Sequence, residues 1–151
     1  MGTKAPSFNG LAPASMASAH AKRRNRRQDT QHEVLLRRVL WKMGLRFRKN
    51  VRTLPGNPDI IFPGARIAVF CDGDFWHGRK WKELKRKLER GVNATYWAAK
   101  IAANIERDTR NTTVLQQLGW RVIRLWETDI RRDPSAAATL IRKAVRTPPI
   151  Q

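Results

Sequence analysis

Residues 66–78 read Arg66-Ile67-Ala68-Val69-Phe70-Cys71-Asp72-Gly73-Asp74-Phe75-Trp76-His77-Gly78. The first half is a continuous apolar run of strand length, β-branched at Ile67 and Val69 and bounded by turn residues, the pattern of a strand buried on both faces. The second half changes character, with two acids (Asp72 and Asp74), a histidine (His77) and two adjacent large aromatics (Phe75 and Trp76). A packed core takes the aromatics but rejects the acids, and a solvated loop takes the acids but rejects the aromatics. A strand end that carries both reads as an active site rather than as a strand–loop junction with rings folded under it.

Immediately upstream, Pro58-Asp59-Ile60-Ile61-Phe62 forms a second short apolar strand headed by an acid, joined to the first through the turn dipeptide Pro63-Gly64. An antiparallel hairpin of this kind carries Asp59 toward the Cys71–Asp72 end of its partner. A proline-aspartate step opening one strand, with acids closing the next, resembles the PD-(D/E)-x-K nucleases, in which two acids and a lysine gather a divalent cation against a phosphate. The lysine of that pattern is missing, because Asp74 stands after Asp72-Gly73.

Beyond Gly78, residues Arg79 to Lys87 are densely basic and helical in pattern, and a long helix follows from about Thr95 to Leu118, closed by Gly119. Projected at 100° per residue, Trp97, Ile101, Ile105, Leu115 and Leu118 fall on one side, with Asn104 and Asp108 near its middle. A carboxylate on a core-facing stripe needs a partner. Arg107, Arg110 and His77 all qualify. Trp120 to Trp126 is a third apolar strand, ended by Glu127-Thr128-Asp129, and the intervening helix implies parallel pairing. Asp133-Pro134 caps and starts a last helix that runs to about Val145.

Toward the N-terminus, a helix from about Thr30 to Met43 stops at Gly44, with Val34, Leu35 and Val39 marking its apolar face together with Leu36 and Leu40. Thr30-Gln31-His32-Glu33 fits a capping box, which gives Glu33 the local role of bonding back to the cap. Arg46 to Val51 reads as a basic, half-exposed edge strand. The order of elements specifies a three-layer α/β/α domain with a central mixed sheet over residues 29–146, followed by a tail at 147–151. Residues 1–28 are expected to form a disordered basic arm, rich in Ala, Ser, Gly and Pro and then cationic at Lys22, Arg23, Arg24, Arg26 and Arg27, suited to phosphate contacts.

The chain has 151 residues, enough for one domain with a real core, and 31 Lys+Arg against 12 Asp+Glu give a formal net charge of +19. That excess points to nucleic acid ahead of an anionic membrane. No apolar run approaches the roughly 20 residues of a membrane helix, so a soluble protein is expected. Cys71 is the single cysteine, which excludes an intramolecular disulfide and suits a reducing compartment.

Five ordered motifs extend this reading. They are D-T-x-x-E at Asp29–Glu33, L-P-G-N-P-D at Leu54–Asp59, D-G-D-F-W-H-G at Asp72–Gly78, N-I-E-R-D at Asn104–Asp108 and L-G-W-R-V-I-R-L-W-E at Leu118–Glu127. Together they make Thr30–Leu140 resemble the very-short-patch mismatch repair endonucleases, a branch of the restriction-endonuclease-like fold that nicks DNA beside a T:G mismatch. By motif position, the resemblance implies Asp59 as the metal-binding aspartate and Cys71 as the donor of a main-chain carbonyl to the metal. It also implies His77 as general base, Asp108 as its orienting carboxylate and Glu33 as the acid holding metal-bound water. Phe75, Trp76 and Trp97 would wedge into the base stack, and Asp72 joins the expected metal site from its place at the strand end.

The implied cofactor is Mg²⁺, which takes hard oxygen ligands and keeps several waters. The implied partner is double-stranded DNA, mismatched or not, met by a monomer in the cytoplasm at the nucleoid, with accessory repair proteins left open. Two further readings stand beside this one: a related restriction or phage-defence nuclease of different specificity, and an idle DNA-binding module. The chain departs from the family at its structural zinc. Asp74, Arg79, Trp81 and Thr128 stand where ligands are expected, and with one thiol in the chain no structural zinc is expected. Asp74 is left as a further metal ligand or a solvated acid.

Overall fold

The computed structural model describes residues 29–149. Five helices and four strands follow in the order α1 (Gln31–Lys42), β1 (Arg48–Lys49), β2 (Ile60–Phe62), β3 (Ile67–Asp72), α2 (Trp81–Glu89), α3 (Ala94–Gln117), β4 (Arg121–Trp126), α4 (Glu127–Arg132) and α5 (Pro134–Arg146). The sheet order is β1-β2-β3-β4. β1 and β2 pair antiparallel, as do β2 and β3, whereas β3 and β4 pair parallel. The sheet is therefore mixed, and the parallel step is bridged by a crossover containing the 24-residue α3.

The apolar run sits where its pattern requires. All six residues of β3 and all three of β2 are buried, and the two-residue β1 is exposed at the edge, where Arg48 and Lys49 discourage further strand pairing. Ile67, Val69 and Cys71 face one layer, built on Leu36 and Leu40 of α1, Ile130 of α4 and Ala138 and Ile141 of α5. Ala68 and Phe70 face the other, with Leu115 of α3. The period-two alternation of β3 thus supplies both cores of a three-layer α/β/α domain. Burying each large aliphatic side chain contributes about 1.5–3 kcal/mol before entropy is counted.

Several local expectations are corrected. The buried stripe of α1 runs through His32, Leu36 and Leu40 at i, i+4, i+8; Leu35 is 38 % exposed and Val34 only half-buried. Polar His32 and Glu33 are buried because they face the strand end, which hydropathy does not reveal. The capping box is not made: the Thr30 hydroxyl donates to Glu33 Oε1 at 3.0 Å and makes no bond to the helix N–H groups, and Glu33 Oε2 accepts from the Asp29 N–H, one residue before the cap. Leu118 is 51 % exposed because it lies past the last residue of α3, in the turn. Glu127-Thr128-Asp129 begin a helix, α4, whose six residues are too few to display a period. The last helix starts as expected, with Asp133 Oδ1 accepting from the Ala136 N–H at 3.0 Å. Among the described residues no helix is long and apolar enough to cross a membrane. The basic arm at residues 1–28 lies outside the described residues, as do residues 150 and 151.

Candidate active site

The hairpin brings Asp59 to Cys71 by backbone geometry. The Asp59 N–H donates to the Val69 carbonyl at 3.0 Å, and the Cys71 N–H donates to Asp59 Oδ2 at 2.7 Å. Burial, then the neighbouring Glu33 charge, push the Asp59 carboxyl up to about 7, although the Cys71 N–H works in the opposite direction. Glu33, 2 % exposed in the first turn of α1, accepts from the Asp29 N–H and the Thr30 hydroxyl, each at 3.0 Å, and pairs with Arg37 at 3.5 Å. The Cys71 carbonyl accepts from His32 Nε2 at 3.3 Å, and burial raises the Cys71 thiol well above its ordinary value.

The other half of the site lies at the end of β3, toward α3. His77 Nδ1 donates to Asp108 Oδ2 at 2.5 Å, and Asp72 Oδ1 stands 3.7 Å from the same nitrogen. Burial works to lower the His77 pKa, but the Asp108 bond and the Asp72 and Asp108 charges outweigh it, leaving the ring above 6.5. Burial raises Asp72 against the His77 and Arg124 charges. Arg124 Nη1 reaches both Asp72 oxygens, at 3.2 and 3.1 Å. His77, Asp72, Asp108, Arg124 and Trp126 line a hollow of about 310 Å³ beside α3. One ligand atom each from Asp72, His77 and Asp108 lie within 4.8 Å of one another, close enough to hold a metal ion.

The partner of Asp108 is therefore His77. Arg107 bonds Asn104 Oδ1 at 3.0 Å, and Arg110 lies 4.0 Å from Glu106. Asn104, one turn before Asp108, donates to the Trp76 carbonyl at 2.9 Å, so two residues of α3 grip two successive residues of the loop. Gly78 completes the fit. Its φ is +68°, and a Cβ there would stand 2.5 Å from Ile105 Cδ1, so a side chain would push the loop off the helix.

Asp74 is drawn away from the acids. It accepts from the Thr128 hydroxyl at 2.6 Å and the Thr128 N–H at 3.2 Å, with Arg79 3.5 Å away. Arg79 also donates to Asp129 at 3.1 Å. Burial works to raise Asp74, but the Thr128 bonds overcome it and hold the carboxyl below its ordinary range. A cation and a hydroxyl bonded to this carboxylate are not a zinc donor set.

Phe75, Trp76 and Trp97 form one cluster, with ring centroids 5.2 Å apart for Phe75–Trp76 and 5.6 Å for each of the other two pairs. Phe75 is 37 % exposed, and Tyr96 extends the cluster at 5.1 Å from Trp97. The neighbouring α2 presents Lys82, Lys85, Arg86 and Lys87 to solvent. Lys22, Arg23, Arg24, Arg26 and Arg27, expected to touch phosphates, lie outside the described residues. Sequence reasoning assigned no role to Arg124, His32, Asn104 or Tyr96. For Arg124 a signal existed, a charge in the middle of the strand run Val122-Ile123-Arg124-Leu125-Trp126.

A family model described as DNA mismatch endonuclease Vsr matches residues 15–83. A type II nicking enzyme of Neisseria meningitidis serogroup C is 41 % identical over 122 residues, covering 81 % of this chain and 81 % of that protein. A type II nicking enzyme of Haemophilus parainfluenzae is 38 % identical over 121 residues, covering 80 % of this chain and 84 % of that protein. The DNA mismatch endonuclease Vsr of Escherichia coli (strain K12) is 38 % identical over 104 residues, covering 69 % of this chain and 65 % of that protein.

Proposed function

The chain belongs to the DNA mismatch endonuclease Vsr family, and from that premise we propose that it hydrolyses one phosphodiester bond of double-stranded DNA beside a T:G mismatch. The observation that carries this reading is the His77–Asp108 pair at 2.5 Å, set at a strand end beside Asp59, whose carboxyl feels the Glu33, Asp72 and His77 charges. Asp108 holds Nδ1 of the ring and fixes its tautomer, which leaves Nε2 to take a proton from the attacking water. The proton passes to the imidazole, the water oxygen joins phosphorus, and the leaving sugar oxygen departs with its bonding electrons. Phe75, Trp76 and Trp97 enter the base stack, where a mispaired step yields at least cost. The cationic surface of α2 and the arm at residues 22–27 grip the backbone.

Mg²⁺ is the proposed cofactor. The buried acids fit it, because burial and, after it, the Glu33 charge push the Asp59 carboxyl up to about 7, and a divalent cation beside these oxygens offsets both. Asp59, the Cys71 carbonyl and water beside Glu33 would hold the ion, with Asp72 adjacent. Bound there, it would stabilise negative charge on the phosphoryl oxygens and on the leaving group. The enzyme acts as a monomer in the cytoplasm.

The test is cleavage of matched and T:G-mismatched duplexes with Mg²⁺ or with EDTA. A nick in one strand of the mismatched duplex, abolished by EDTA, is expected. A protein that binds both duplexes and cuts neither would be an idle DNA-binding module. Relatives named type II nicking enzymes support a second reading, in which the same chemistry serves a restriction system with another recognition rule. Nicking of a different mispair in preference to T:G would select it.

A further inference from the structure

Arg124 is held more completely than an ion pair requires. Nη1 meets both oxygens of Asp72, Nη2 donates to the Asp108 carbonyl at 3.2 Å, and Nε donates to the Thr112 hydroxyl at 2.9 Å. The guanidinium also lies over the Phe70 ring, 4.1 Å from its centroid, and Nη1 is 3.9 Å from Asp108 Oδ1. The sheet register explains the reach. Arg124 pairs with Phe70, and Asp72 lies two residues on, hence on the same face of β3. The guanidinium therefore crosses from β4 to the end of β3 and grips α3 one turn along from the residue that orients His77.

We propose that Arg124 is a positioning residue that fills, with a fixed organic cation, the place a metal ion would take among Asp72, His77 and Asp108, so that this cluster serves proton transfer while the divalent ion binds on the Asp59 side. A cation entering the cluster through Asp72 has to displace a fork anchored at the Asp108 carbonyl, the Thr112 hydroxyl and the Phe70 face. Lysine does not substitute, because one ammonium cannot span Asp72, the Asp108 carbonyl and Thr112 in a plane. The inference rests on the endonuclease reading above, with His77 as base.

Two measurements on the full chain test it. In single-turnover nicking of a T:G duplex, Arg124→Lys is expected to lower the rate roughly tenfold or more, as small misplacements of a catalytic group do. Thr112→Val removes one anchor and is expected to lower the rate a few-fold. Duplex affinity in both should stay within about threefold, because the basic surface supplies it. Where Arg124→Lys is too unstable to assay, Thr112→Val carries the test below its own melting temperature. The second measurement is Mn²⁺ binding to the free protein by electron paramagnetic resonance. His77→Gln should leave Mn²⁺ affinity within about twofold, whereas disturbing a ligand costs roughly tenfold or more. A tenfold loss of Mn²⁺ affinity in His77→Gln would make the cluster the metal seat and overturn the proposal. Wild-type nicking by both Arg124→Lys and Thr112→Val, with His77→Gln inactive, would remove the role of Arg124 and leave the endonuclease reading intact.

Discussion

The Asp59 carboxylate accepts the Cys71 N–H at 2.7 Å, so the first acid of the hairpin is fixed to the strand that ends in Asp72. That bond aligns one carboxylate with a neighbouring main-chain carbonyl while burial and Glu33 hold its proton. Both properties are used in the first prediction.

Asp59→Asn should abolish cleavage and leave duplex binding within a few-fold, since the net charge of +19 supplies most of the affinity. It should also stabilise the metal-free protein. The folded-state pKa of about 7 lies above the ordinary 3.8, so the folded state binds the Asp59 proton more tightly than the unfolded chain does. Stability is therefore full below about pH 4 and is lost as pH rises to about 7. Thermal melts at pH 8 without metal should favour Asp59→Asn over wild type, and a divalent ion should raise the wild-type midpoint alone. Normal cleavage by Asp59→Asn would remove Asp59 from the metal site.

His77 and Asp108 should behave as a unit. His77→Ala and Asp108→Asn should each lower the nicking rate by about 10²-fold or more, and the double variant should be little worse than His77→Ala alone. The limb of the pH–rate profile belongs above pH 6.5, higher than an isolated histidine would place it, because the Asp108 bond and the adjacent acids raise the ring. Activity should appear as pH rises through that limb. Additive losses with a flat profile would make metal-bound hydroxide, formed without His77, the nucleophile's source.

The loop that carries His77 is tied down by Asp74, Arg79 and Thr128. A purified sample should contain no stoichiometric zinc by elemental analysis, and EDTA should not unfold the protein, as it would one that depends on a structural zinc. Thr128→Val should slow nicking and Thr128→Ser should restore it, because the hydroxyl reaches Asp74 at 2.6 Å. One tightly held zinc per chain would contradict the donor chemistry seen here.

Deleting residues 1–27 should weaken DNA binding and flatten its salt dependence, each lost phosphate contact removing about 0.9 from the slope. The fold should survive, because the first fully buried core residue is Leu36. Titrations of both proteins between low and moderate salt decide it: an unchanged slope demotes Lys22, Arg23, Arg24, Arg26 and Arg27 to a tail.

The sequence by itself determined the elements and their layers. Ile67–Cys71 reads as a strand buried on both faces, Asp133-Pro134 reads as a helix start, and a hairpin over Pro58–Asp72 carries Asp59 toward Cys71, as the structure has them. Each depends on the period of local hydrophobicity or on a cap within a few residues, and these are carried by adjacent positions in the chain. Tertiary structure decided which charges meet. Asp108 had two arginines within reach along its own helix and a histidine 31 residues away, and only the packing of the Asp72–Gly78 loop on α3, with Gly78 against Ile105, selected His77. Arg124 bonds Asp72 because a parallel register sets it opposite Phe70, and Asp74 turns to Thr128 because an unforeseen one-and-a-half-turn helix presents that hydroxyl. Such partners are set by register and by the approach of distant elements, and neither quantity is written in any short stretch of chain.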